Sequence, residues 1–208
     1  MTHAPSPRTR LRRLHEKAAY DFADVAAVLD AQPLAHIGHL VDGAPRVTPT
    51  LQWRDGGTVY WHGSAASRMI KASAGAEVCL SVTLLDGLVL ARSGLEHSVQ
   101  FRSVTVFGRA ELVTGPDKAR QLELMMEGMF PGRWPQLRPM TAQELKATAV
   151  LSLALTEASA KLSVGGPLDP EADQGWPVWA GVVPITQVLG TPEPDGSPMG
   201  PVPQIKRF

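Results

Sequence analysis

One cysteine in 208 residues, Cys79, excludes an intrachain disulfide and any metal site built from several thiolates. It fits a reducing compartment, and a cytoplasmic location is the expectation. Nor is there an excess of charge of either sign. Twenty Lys and Arg face twenty Asp and Glu, so neither nucleic acid nor a membrane surface is an expected partner. No apolar run approaches the ~18 residues that mark a membrane helix. Arg8, Arg10, Arg12 and Arg13 are not followed by an apolar stretch, so no secretory signal is expected. Nucleophile elbows, Walker loops and the glycine fingerprint of dinucleotide folds are missing, and there are no internal repeats.

What is present is a 44% hydrophobic chain, enough for one domain with a real core. Residues 1–15 are rich in Pro and Arg and read as a solvated arm, residues 16–190 as the domain, and residues 191–208 as a loosely held Pro/Gly tail. Phe22, Val25, Ala26 and Leu29 recur at helical spacing. Two turn signals, Asp42-Gly43 and Asp55-Gly56-Gly57, separate β-prone runs at about 34–41, 45–53 and 58–62, which reads as an antiparallel meander. A short helix is expected over 65–74, ended by Gly75. Val78, Leu80, Val82 and Leu84 alternate as one strand, and "GLVLAR" after Asp86-Gly87 reads as another. The long strand "SVQFRSVTVFGRAELV" changes phase at Arg102–Ser103, which predicts a bulge there. Pro116 opens a helix to Met129, and Thr141 with Glu144 has capping-box spacing. "VLSLAL" and "VWAGVVPITQVLG" are the last strands expected, with a loop before the second. The pattern is mainly β and mostly antiparallel, and a β-barrel with peripheral helices is the economical architecture.

His36 and His39, three apart on a strand, point to opposite faces and cannot readily share a metal ion. "SGLEHS" has no partner cluster, and no metal site is expected. Cys79 lacks a neighbouring base and reads as a packing residue. The stretch "YWHGSAASRM" is richer. A strand ends on His62, and Gly63, Ser64, Ser67 and Arg68 follow at a helix start. Hydroxyls, free backbone amides and a guanidinium fork together can hold a phosphate. A capped helix with an exposed arginine explains the same residues.

These residues also carry a resemblance. "YWHGSAASRM", "GAEVCLSVTLLDGLVLARS", "SVQFRSVTVFGRAELV", "FPGRW" and "PVWAGVVPI" in this order resemble the FMN-binding split-barrel superfamily of pyridoxamine 5′-phosphate oxidase. Within it the chain is most similar to the nitroimidazole-resistance and flavin-nucleotide-binding branch. The resemblance implies a Greek-key-like antiparallel split barrel and FMN as cofactor. It places Ser67 and Arg68 on the FMN phosphate, with Gly63, Ser64 and Lys71 around it. Arg46, Val47, Thr48, Pro49 and Thr50 would line the flavin edge, and His62 would approach the ring or its substrate as the catalytic residue. Two positions depart from the oxidases: Met69 and Leu51 stand where basic residues are usual. The pyridoxal-phosphate-recognition segment of those oxidases has no match, so that substrate is not expected.

The function implied is an oxidoreductase that reduces a small acceptor, nitroaromatic or quinone-like, with NAD(P)H. A flavin carrier or sensor without turnover, or a haem-binding split barrel using His62 or His97, are the alternatives. A small barrel has no room inside for an isoalloxazine ring. The superfamily solution is a two-fold homodimer that sandwiches the flavin. Gln100, Arg102 and Ser103, with Trp176 and Trp179, are the candidates for the second wall.

Overall fold

The structure is a computed structural model that describes residues 3–196 and 202–206. Strand β1 (Ala18–Ala19) and helix α1 (Phe22–Asp30) lead into the expected meander of β2 (Leu34–Val41), β3 (Ala44–Asp55) and β4 (Thr58–Ser64). The first turn works because Asp42 and Gly43 both take positive φ, 51° and 76°, as a tight hairpin requires. Next come α2 (Arg68–Ser73) and β5 (Glu77–Leu90), which returns to pair with β2. The spatial order β5-β2-β3-β4 is a Greek key.

Strand β6 (Ser98–Arg109) pairs with β5, and β7 (Glu111–Val113) continues from it. Helices α3 (Gly115–Met129) and α4 (Ala142–Ala147) precede β8 (Thr148–Ala154), which lies between β4 and β7. Strand β9 (Ala158–Ser163) pairs with β6 and β1, and β10 (Gly181–Pro184) pairs with β5. All these pairings are antiparallel. The sheet curls until β6 meets β8: a Cβ on Gly108 would stand 3.0 Å from Leu153 Cδ1. The protein is a mainly antiparallel β-barrel with four peripheral α-helices among the described residues.

Trp61, Ile37, Leu80, Val104, Val106, Leu151 and Leu153 fill one core inside the barrel, closed by Val25, Val28 and Leu29 of α1. A smaller cluster, Trp53, Leu122, Met125 and Val150, lies under α3. Polar ties fix both helices to β3. Gln52 Nε2 donates to the Leu29 and Gln32 carbonyls, each at 2.6 Å, and Trp53 Nε1 donates to Gln121 Oε1 at 3.0 Å.

Several expectations need correction. Asp86-Gly87 is not a turn, because β5 runs straight through it. The register shift lies there, between Leu85 and Gly87, and not at Arg102–Ser103 on the partner strand. The extra residue, Asp86, turns its carboxylate to Arg102, whose Nε and Nη2 donate to it at 2.8 Å each. Strand β9 was not expected at all, and β10 covers only four residues of the run assigned to it. Helix α2 begins at Arg68, three residues later than read, and Ser67 makes no side-chain cap. The capping box at Thr141 and Glu144 forms as expected.

The N-terminal segment lies on the barrel rather than in solvent. Arg8 Nη1 donates to Glu77 Oε2 at 2.8 Å, and its guanidinium sits 5.2 Å over the Phe107 ring. Ser6 Oγ donates to Glu157, and Thr9 is buried. At the other end, Lys206 donates from its backbone to Met129 O at 3.0 Å and from Nζ to Asp30 O at 2.9 Å. No helix among the described residues is long and apolar enough to cross a membrane.

Candidate functional site

The β2–β3 hairpin sets His39 opposite Arg46, Gly38 opposite Val47, and Ile37 opposite Thr48. Strand β4 then ends, and the Ser67 N–H bonds the Ser64 carbonyl at 2.9 Å to turn the chain into α2. Gly63 lets that helix settle on β4, since a Cβ there would stand 3.1 Å from Ile70 Cγ1. Helix α2 therefore packs beside β2, and the hairpin and helix enclose a cavity of about 270 Å³. Its walls are His39, Val41, Arg46, Val47, Thr48, Arg68 and Met69.

Two guanidiniums thus face one cavity that no carboxylate lines among the described residues. Such a cavity attracts an anion, and planar guanidinium forks suit phosphate oxygens. Met69, the departure noted in the sequence, is one of the buried walls. The second positive charge comes instead from Arg46 across the hairpin. His39 is buried with Nδ1 3.1 Å from the Ile37 carbonyl, which fixes its ring against the same space. Spacing gave no signal for His39 as a wall, because its role depends on where α2 packs.

Among the other expected site residues, Pro49 and Thr50 continue β3 past the cavity, and Thr50 Oγ1 donates to the His62 carbonyl at 3.3 Å. Ser64 Oγ accepts from the Ala66 N–H at 3.2 Å, and Lys71 is exposed one turn along α2. The His62 side chain does not line the cavity. It sits half-buried beside Trp53, ring centroids 6.0 Å apart, and Nδ1 is buried without a hydrogen-bond partner. Burial pushes its pKa below the ordinary 6.5.

Gln100, Arg102 and Ser103 lie on β6, separated from the cavity hairpin by β5. Arg102 is held by Asp86, and Gln100 Nε2 donates to the Gly165 carbonyl at 2.9 Å. Trp179 is exposed and covers Gly181, where a Cβ would stand 2.9 Å from its ring. Within one chain, then, the structure joins Arg46, Val47, Thr48 and Arg68 and leaves the β6 residues apart. No group of three or more potential metal ligands occurs among the described residues. Burial raises the Cys79 thiol pKa, against a smaller opposing effect of Arg8, so an activated thiolate is not favoured.

The family model for pyridoxamine 5′-phosphate oxidase matches residues 21–162. The chain belongs to the pyridoxamine 5′-phosphate oxidase family. Among solved structures, the flavocytochrome Anf3 from Azotobacter vinelandii is 50% identical, over 97% of this chain and 95% of that one, with a TM-score of 0.92. An FAD and heme binding protein from Mycobacterium smegmatis is 39% identical, over 89% of this chain and 94% of that one, with a TM-score of 0.84. A candidate 5-nitroimidazole antibiotic resistance protein from Bacteroides thetaiotaomicron shares the fold at 15% identity, over 69% of this chain and 85% of that one, with a TM-score of 0.57. No curated protein matches the chain by sequence. The cavity at Arg46 and Arg68 lies inside the span that defines the pyridoxamine 5′-phosphate oxidase family. The N-terminal arm and the Trp176–Trp179 segment lie outside it.

Proposed function

We propose that the chain is a flavin- and haem-binding redox protein whose flavin phosphate rests on Arg46 and Arg68. The observation that carries this is the cavity with two guanidiniums and no lining carboxylate. The two relatives at 50% and 39% identity, named for flavin and haem, support it. Two positive forks fit either the phosphate of FMN or the diphosphate of FAD. FMN is the expectation from the sequence, and FAD is the flavin in the M. smegmatis relative's name.

When bound, the flavin supplies hydride acceptance from NAD(P)H and electron delivery to a nitroaromatic or quinone-like acceptor. The protein anchors and orients it. Arg46 and Arg68 would hold the phosphate, and Val47 and Thr48 would line the flavin edge. His62 is the candidate proton donor or acceptor-positioning group, a half-buried imidazole that burial keeps neutral at neutral pH. Gln100, Arg102 and Ser103 can reach this flavin only from a second copy, so a homodimer completes the groove.

The test is a titration of wild-type protein and Arg68→Ala with FMN, FAD and riboflavin. Losing charge-assisted hydrogen bonds costs about 1.5–3 kcal/mol, roughly tenfold to a hundredfold in affinity. The loss should fall on the two nucleotides and spare riboflavin. Equal losses for all three would remove the phosphate assignment. NAD(P)H oxidation no faster than with free flavin would make the protein a carrier rather than an enzyme.

A further inference from the structure

The arm ahead of α1 builds a second and larger cavity. Residues 3–20 curl around a space of about 940 Å³, lined among others by His3, Arg10, Leu11, Arg12, His15 and Tyr20. That lies in the upper part of the range for cofactor sites, ~300–1,000 Å³. The arm is held in place to form it. Arg8 and Ser6 tie it to Glu77 and Glu157, and the Leu11 N–H donates to Tyr20 Oη at 3.0 Å. Leu14 takes a left-handed conformation, φ 54°, immediately before His15. A non-glycine residue there is strained, and such strain persists where the surroundings impose it, often at ligand clamps.

The lining has a definite chemistry. Two imidazoles offer nitrogen to a transition metal, and two guanidiniums offer forks to carboxylates. Leu11, Tyr20 and the prolines at 5 and 7 supply apolar surface. No carboxylate lines the space among the described residues. Glu16 lies 3.9 Å from His15 Nδ1, outside hydrogen-bond reach and exposed, so the ring is free to turn toward the space. A planar apolar body with a metal at its centre and carboxylates on its edge matches every one of these groups, and haem is such a body.

The comparisons agree in extent. The family span begins at residue 21 and so omits the arm. The flavocytochrome match covers 97% of this chain and takes in most of the arm. We infer that the arm is the haem site, with an imidazole of the His3–His15 pair on the iron and Arg10 and Arg12 on the propionates. This rests on the reading above that the chain binds haem as well as flavin.

The experiment reconstitutes the full chain with haemin and records the Soret and flavin bands together. Three proteins are compared: wild type, His3→Ala/His15→Ala and Arg10→Ala/Arg12→Ala. The histidine double variant should lose the haem or shift its Soret band, while its flavin bands and circular dichroism stay as in wild type. The arginine double variant should bind haemin roughly tenfold to a hundredfold more weakly with the iron spectrum unchanged. A wild type that takes up flavin and no haemin overturns the haem reading itself. A histidine double variant with the wild-type Soret band and affinity overturns the arm site alone, as does loss of the band in His62→Ala or His97→Ala instead.

Discussion

His62 shows how one buried ring couples fold to pH. Its folded pKa lies below the ordinary 6.5 because burial disfavours the imidazolium. Between those two values the unfolded chain binds more protons than the folded one. Its contribution to stability is therefore complete above about pH 6.5 and falls as pH drops through the window. Glu144 acts at lower pH, held at about 2 by Arg138 and Thr141 against an ordinary 4.5. Its contribution is present above 4.5 and is lost as pH falls toward 2. The two windows separate. His62→Phe should flatten the change in melting temperature between about pH 7 and pH 5 and leave the acid limb below it unchanged. An NMR titration that put the His62 midpoint at or above 6.5 would contradict this account. At this scale Ser67-Arg68 at a helix start marked Arg68 as a candidate phosphate ligand, and the structure sets it in a cavity wall. Arg46 came from the family resemblance, and its meeting with Arg68 needs the hairpin and α2 to be in place. His39 was not legible as a wall, because a strand histidine carries no mark of what packs over it.

Among the elements, the same kind of dipeptide gave two outcomes. Asp42-Gly43 makes a hairpin with both residues at positive φ, whereas Asp86-Gly87 lies within a continuous strand. The difference is tertiary. Asp86 is bonded by Arg102 and its carbonyl accepts from the Ile185 N–H at 2.9 Å, so β6 and β10 clasp the position from both sides. Gly87 is there for close approach: a Cβ would stand 3.1 Å from the Val183 carbonyl oxygen and 3.1 Å from Gln100 Oε1. The side-chain amide can move, but the strand carbonyl cannot without disturbing the pairing. Gly87→Ala should cost about 1–3 kcal/mol and loosen β10 first. Hydrogen exchange at the Ile185 amide should then accelerate more than exchange in the β2–β5 pairing. Unchanged exchange at Ile185 would mean that the contact yields freely. Strand β9 escaped the sequence reading for a related reason. Its "ASAKLS" is small and polar, yet Ala158 and Ala160 are buried because Val104 and Val106 on β6 occupy the neighbouring volume. The turns at Asp42-Gly43 and Asp55-Gly56-Gly57 and the capping box were legible because their chemistry is local.

For the whole molecule, strand order decides what one chain can do alone. Gln100, Arg102 and Ser103 stand on β6, and β5 and β2 lie between them and β3. Leu85, Leu88, Val99, Trp179 and Val183 leave apolar surface exposed around β5, β6 and β10. A homodimer should therefore elute at twice the 22.3 kDa chain mass with flavin absorbance on the same peak, and dilution should release flavin as the dimer parts. A 22.3 kDa species carrying stoichiometric flavin would refute a shared groove. The barrel class follows from turns and alternation and the Greek-key order from the family resemblance, but the closure of β6 on β8 follows from neither, since no local signal marks it. The placement of the last segments has a consequence during synthesis. Strand β5 waits for β10 about a hundred residues later in the chain, and α1 waits for Lys206. A ribosome adds ~5–20 residues per second, so β10 follows β5 by roughly 5–20 seconds. The meander can form early, but the edge of β5 at Gly87–Leu90 stays open until β10 has been made. A nascent chain is thus left with an unpaired edge strand, the part most in need of a chaperone's cover.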